Sequence, residues 1–197
     1  MRPDLDVVAG LVPTGSKVLD LGCGDGTLLA HLYRSRGCEG AGVEIRGDDV
    51  IACIERGVPV IEADLDEGLA DFDDASFDIV VVSQTLQATR QPLLVLREVM
   101  RVGRRGIVSI PNFGHWRLRA DLCLRGRMPS SPALPHAWYD TPNIHLATIT
   151  DLERLLAREG IRTLARVLLG VDGRSAGAVC SLSPNLAAAG AVYLLER

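Results

Sequence analysis

Lys17–Gly26 reads KVLDLGCGDG, and these residues decide the fold. Val18 to Gly22 close an apolar run that reads as a buried strand. Three glycines, Gly22, Gly24 and Gly26, follow before the helical pattern TLLAHLYR begins. Strand, glycine turn and helix together make a nucleotide-binding opening. Glycine lets the backbone turn sharply, and without a Cβ a ligand can lie against main-chain N–H groups at a helix N-terminus. A GxGxG pattern is weak on its own and takes its weight from the chain on either side.

Upstream, Pro3 to Val12 place Leu5, Val8 and Leu11 or Val12 on one helical face, stopped by Pro13-Thr14-Gly15. Downstream, helix Thr27–Ser35 leads to strand GAGVEI, which finishes at Glu44, 22 positions after Gly22. That interval is close to the one at which an acid meets a ribose diol in dinucleotide-type folds. A helix from Asp48 to Arg56 precedes strand VPVIEAD, ending in Asp64; Asp66, Glu67, Asp71, Asp73 and Asp74 read as solvated turn and cap residues. Phe77–Gln84, FDIVVVSQ, is the most continuously β-branched apolar run and suits a central strand covered on both faces. Helix Pro92–Arg101, stopped by Gly103, and strand RRGIVSIP complete an alternation that builds a parallel doubly wound sheet. After an irregular stretch, TITDLERLLAREG predicts a helix with a capping box of Thr150 and Glu153. Strand IRTLARVLL, a Gly/Ser-rich loop from Gly170 to Pro184 and a last strand within AAAGAVYLLER follow.

With 197 residues and neither repeat nor linker, one domain spanning 1–197 is expected. A chain 47% hydrophobic and 23% charged is ordinary for a globular protein, and a net charge of −4 lacks the basic excess of a dedicated nucleic-acid binder. Cys23, Cys38, Cys53, Cys123 and Cys180 are odd in number and include no CxxC pair, which argues against a disulfide framework or structural zinc; no metal site is expected. MRPDLDVVAGLVPTG carries acids where a signal peptide needs an apolar core, and no apolar run approaches a membrane span, so a cytoplasmic protein is expected.

The interruption at about 112–146 holds four prolines (Pro129, Pro132, Pro135, Pro142), both tryptophans and three of the four histidines. Its possible general bases are His115, Tyr139, Asp140 and His145, each of which reads first as a structural hydrogen-bonding residue of a proline-rich loop. Arg117, Arg119, Arg125 and Arg127 outnumber Asp121 and Asp140, and Trp, Tyr and Arg are types enriched at interface hot spots. The insert therefore reads as a lid over the pocket, a partner surface, or both.

The ligand turns on position 27, where the dinucleotide fingerprint needs Gly or Ala and this chain has Thr27. VLDLGCGDG, an acid ending the second strand, another after the third and the final strand pair resemble the class I S-adenosylmethionine-dependent methyltransferase fold. That likeness implies a Rossmann-like α/β architecture: a mostly parallel seven-stranded sheet with an antiparallel last strand and helices on both faces. The resemblance implies that Gly22, Cys23 and Gly24 line the methionine moiety of S-adenosylmethionine or S-adenosylhomocysteine, with Gly26 completing the loop. It has Glu44 accept from both ribose hydroxyls, Asp64 meet the adenine amino group, and Ile45 and Leu65 contact the ring. Ser83, Gln84 and Thr85 close the pocket, and Asp20 orients the loop and faces the ligand's amino group. Ser83-Gln84-Thr85-Leu86 stands where amino-group methylation of bases or glutamine has a D/N-P-P-Y/F signature, so a nucleic-acid partner is not expected.

SQTLQATRQP, VGRRGIVSIPNFGHWRLR, GRMP and WYDTPNIHL are similar to the MetW family, methionine biosynthesis proteins associated with homoserine O-acyltransferases. This resemblance implies an S-adenosylmethionine-binding accessory or regulatory partner of a MetX-type homoserine O-acyltransferase. An active methyltransferase on a small metabolite, with His115 or His145 as base, is the alternative; a nucleotide-binding oxidoreductase is disfavoured by Thr27.

Overall fold

The structure, a computed structural model, describes residues 2–131, 134–177 and 179–197, without the side chains at 179 and 181. Pro132, one of the prolines marking the insert, lies outside the described residues. The strands are β1 (Lys17–Leu21), β2 (Glu39–Glu44), β3 (Val60–Glu62), β4 (Phe77–Ser83), β5 (Gly103–Pro111), β6 (Arg162–Leu169) and β7 (Gly190–Glu196). They form one sheet in the order β3-β2-β1-β4-β5-β7-β6. β7 runs antiparallel to both β5 and β6, and the pairs from β3 through β5 are parallel. The carboxyl ends of β1, β2, β4 and β5 therefore open on one edge, and order reverses at β1/β4, where α/β sheets bind ligands.

Alternation along each strand builds a core on each face. Leu19, Leu21, Val80, Val82 and Val108 join Leu96 and Val99 of α4 (Pro92–Val102) and Ile149, Leu152 and Leu156 of α6 (Ile149–Arg158). Val18, Ile79, Val81 and Ile107 face the other way, onto Val8 of α1 (Pro3–Leu11), Leu28, Leu29 and Leu32 of α2 (Thr27–Arg36) and Cys53 of α3 (Gly47–Glu55). A central strand loses both faces to helices, which is why the β4 run is apolar at consecutive positions.

Three expectations change. Residues 116–125, read within an irregular insert, form α5 (Trp116–Arg125), capped by His115, whose Nδ1 accepts from Arg117 N–H, and closed by Gly126 at φ 62°. The capping box of α6 is Thr148 with Asp151, not Thr150 with Glu153. Ile149 has to be helical to share a buried stripe with Leu152 and Leu156, so the cap falls one residue before it. β3 ends at Glu62 rather than Asp64, because the Asp64 carboxylate accepts from Asp66 N–H and caps a 3₁₀ turn, Leu65–Glu67. Two short helices, α7 (Val179–Leu182) and α8 (Pro184–Ala187), occupy the end of the loop before β7. Buried Asn112 ties α8 and α6 to the end of β5: its amide donates to Asn185 and Ala188 carbonyls and its Oδ1 accepts from Gly114 and Ile149.

Candidate functional site

The chain leaves β1 at Leu21 and turns through the glycine loop over the end of β2. Gly22 N–H donates to the Val43 carbonyl at 2.8 Å, and φ at Gly22 is 70°. A Cβ there would stand 2.5 Å from the Thr85 side chain, so the position demands glycine twice over. Gly24 N–H donates to Glu44 Oε2 at 2.8 Å, while Oε1 of the same carboxylate accepts from Ile45 and Arg46 at 2.9 and 3.1 Å. One buried acid thus joins the loop to the end of β2.

Around the loop lies a cleft of about 1050 Å³. The residues expected to hold a ligand all border it except Gly26, which begins α2 and lies against Cys53 and Val58. Asp20 is buried at its inner end. Burial pushes its carboxyl up to about 7, Arg2 pulling it down and Glu44 adding to the rise. Cys23 and Cys53 bring their sulfurs to 3.7 Å beneath the loop, and burial pushes both thiols up, so they are neutral packing groups. At the other end, Arg90 bridges Asp64 and Asp66 at 2.9 and 3.2 Å. Burial works against the charge on Asp66, but N–H groups of Arg90 and Gln91 and the Arg90 guanidinium outweigh it and hold the carboxyl below its usual range. Gln84, just beyond β4, holds φ 54° and donates its amide to buried Asp4 at 2.9 Å.

A sequence model of the family described as Methionine biosynthesis protein MetW matches residues 2–195. The chain belongs to the MetW family. Over 181 residues it is 36% identical to the bifunctional methionine biosynthesis protein MetXA/MetW of Rhodopirellula baltica, an alignment covering 87% of this chain and 29% of that protein. The chain therefore spans under a third of this relative's length. Among solved structures, a SAM-dependent methyltransferase from Archaeoglobus fulgidus superposes with a TM-score of 0.71 at 16% identity, over 100% of this chain and 92% of its own. The [4+2]-cyclase SpnF superposes with a TM-score of 0.66 at 18% identity, over 98% and 80%. The fold of this MetW-family chain is therefore that of the class I methyltransferases, and the fold leaves the reaction open.

The insert residues weighed as bases lie outside the cleft. His115 is spent capping α5, where burial and then Arg117 hold its imidazole below the usual range. Tyr139 is exposed and stacks edge-on with Trp138, Asp140 is exposed beside them, and His145 faces a separate small void. The insert instead sends Pro142 and Asn143 to the rim. Arg2 and Arg90, which also border the cleft, were missed by sequence reasoning; as exposed arginines remote from the glycine loop they carry no local signal. No helix is long and apolar enough to cross a membrane, and no metal-holding cluster occurs, among the described residues.

Proposed function

We propose that this cleft binds S-adenosylmethionine or S-adenosylhomocysteine, and that the protein serves methionine biosynthesis as accessory or regulatory partner of a homoserine O-acyltransferase. The observation that carries the ligand is the convergence of Asp20, Glu44 and Asp64 around the glycine loop in one cleft. A carboxylate only accepts hydrogen bonds; Glu44 gives three of its roughly four acceptor positions to backbone and keeps one on Oε2, enough for one ribose hydroxyl rather than the two that the sequence resemblance implies. Asp20, half-charged near neutrality, gains a counter-ion from the ligand's ammonium group. Gly22, Cys23 and Gly24 line the methionine moiety without offering it their N–H groups, which donate to the Val43 carbonyl and Glu44; Gly26 sets the start of α2, and Ser83, Gln84 and Thr85 close that end. Asp64 receives the adenine amino group between Ile45 and Leu65.

A pyrophosphate fits poorly. Asp25 already accepts from Thr27 N–H at 3.1 Å and the Thr27 hydroxyl at 2.8 Å, placing a carboxylate where a dinucleotide needs the helix N-terminus free. S-adenosylmethionine supplies an electrophilic methyl group on sulfur. With the four insert candidates outside the cleft, binding as a signal of end-product level is favoured over transfer. The partner rests on the Rhodopirellula relative, whose name joins MetXA to MetW in one chain.

Co-purification and a homoserine acyltransferase assay with and without this chain test the partnership: association and a changed rate are expected, and neither would overturn it. Labelled-methyl transfer to a metabolite extract tests the alternative, an active methyltransferase, and silence despite ligand binding is expected.

A further inference from the structure

A second chamber of about 450 Å³ adjoins the cleft, sharing Arg2, Gln84, Pro142 and Asn143 with it. Its floor is the carboxyl edge of β5, at Ile110 and Pro111, with Gly170 after β6 and Gly190 opening β7. The insert roofs it through Pro135, His136 and Pro142. Backbone hydrogen bonds fix that roof: Ile144 and His145 N–H both donate to the Gln87 carbonyl at 3.0 Å.

Gln87 borders this chamber, is 6% exposed, and leaves its Oε1 without a partner, while its Nε2 donates to the Gln84 carbonyl at 2.8 Å. A buried acceptor without a donor is destabilising, because it has lost its water partner and gained none. A second cavity that Gln87 borders holds only about 10 Å³, room for one water at most. Beside Gln87 the chamber has the buried Asp4 carboxylate and Asp172, against the single guanidinium of Arg2, which already pairs with Asp4 at 3.4 Å. Gln84, between the two spaces, sits in the left-handed region that non-glycine residues enter rarely and that recurs at ligand clamps.

From the orphaned Gln87 acceptor, the excess of carboxylates and the strained partition we infer that the chamber is a second ligand site, taking a small primary amine whose ammonium group donates to Gln87 Oε1 and faces Asp4. The site goes beyond the cofactor reading and does not depend on which ligand the first cleft holds.

Saturation-transfer NMR on the full chain tests this, with and without S-adenosylhomocysteine. The probes are the common L-amino acids, ethanolamine and 1,4-diaminobutane, each beside its N-acetylated form. At least one free amine should bind while its acetylated form does not, and Gln87→Met and Asp4→Asn should each weaken it by about tenfold, the loss of a charge-assisted hydrogen bond. S-adenosylhomocysteine, titrated separately, should bind Gln87→Met as it binds the parent chain, so failure of the cofactor reading shows independently. The inference is overturned if no amine binds in either condition. It is also overturned if Gln87→Met shifts the melting temperature and leaves amine binding intact, since Oε1 would then serve only a trapped water.

Discussion

Asp20→Asn separates what the cleft costs the fold from what it gives the ligand. A carboxyl that titrates near 3.8 in the unfolded chain and at about 7 in the native one is held more tightly protonated by the folded state. Stability therefore falls as pH rises through that window: the folded chain keeps a proton that the unfolded chain has released. At pH 8 the accumulated cost is about 4 kcal/mol, from roughly three pKa units at 1.36 kcal/mol each. Asparagine fills the same space without ionising. The variant should match the parent near pH 4 and exceed it by up to about 4 kcal/mol at pH 8, a rise of roughly 8–16 °C in melting temperature for a chain of this length. Melting curves of ligand-free protein across that range are the assay. The same variant should bind S-adenosylhomocysteine more weakly, and the parent's affinity should drop about tenfold per pH unit below 7, where binding has to expel the proton. Melting temperatures of the two proteins that run parallel at every pH would show that folding does not raise the Asp20 pKa.

Glu44→Ala strips acceptors from three backbone N–H groups, so it should cost about 1–3 kcal/mol in urea unfolding and abolish nucleoside binding in titration calorimetry. Gly22→Ala forces a Cβ against Thr85 in a left-handed backbone and should cost about 1–3 kcal/mol; adding Thr85→Ala should restore part of it, read from the same unfolding curves. His115→Ala removes the α5 cap and should cost about 0.5–2 kcal/mol while leaving ligand affinity unchanged; a large loss of affinity would contradict its placement outside the cleft. Thr148→Ala should cost about 1 kcal/mol and Thr150→Ala less than about 0.5, a contrast that thermal melts resolve and that tests which threonine caps α6.

What the sequence made legible follows from period and punctuation. The β4 run stood out because both faces of a central strand are buried, and the glycine loop because φ at Gly22 and Gly24 admits little else. α5 escaped notice because its cap is a histidine, outside the usual Ser, Thr, Asp and Asn, and because only Leu118 of its ten residues is buried. The surrounding prolines then governed the reading. The sequence pattern sets the cap of α6 two residues late, at Thr150, because Thr150 with Glu153 fits the capping-box pattern and only the buried stripe headed by Ile149 moves the box to Thr148 with Asp151. The site was legible where acids stand at or just beyond the ends of strands and illegible where distant residues return: Arg2 and Asp4 from the start of the first helix, Arg90 from beyond β4, and Asn143 from the insert. Such meetings are made by topology, and no spacing along the chain announces them.

Titration calorimetry of the purified chain with S-adenosylhomocysteine is the most direct test of the cleft's assignment. Saturable one-to-one binding is expected, weakening below pH 7 through Asp20 and disappearing in Glu44→Ala. A folded parent chain that gives no binding at pH 8, or a Glu44→Ala variant that binds as well as the parent, would contradict that assignment.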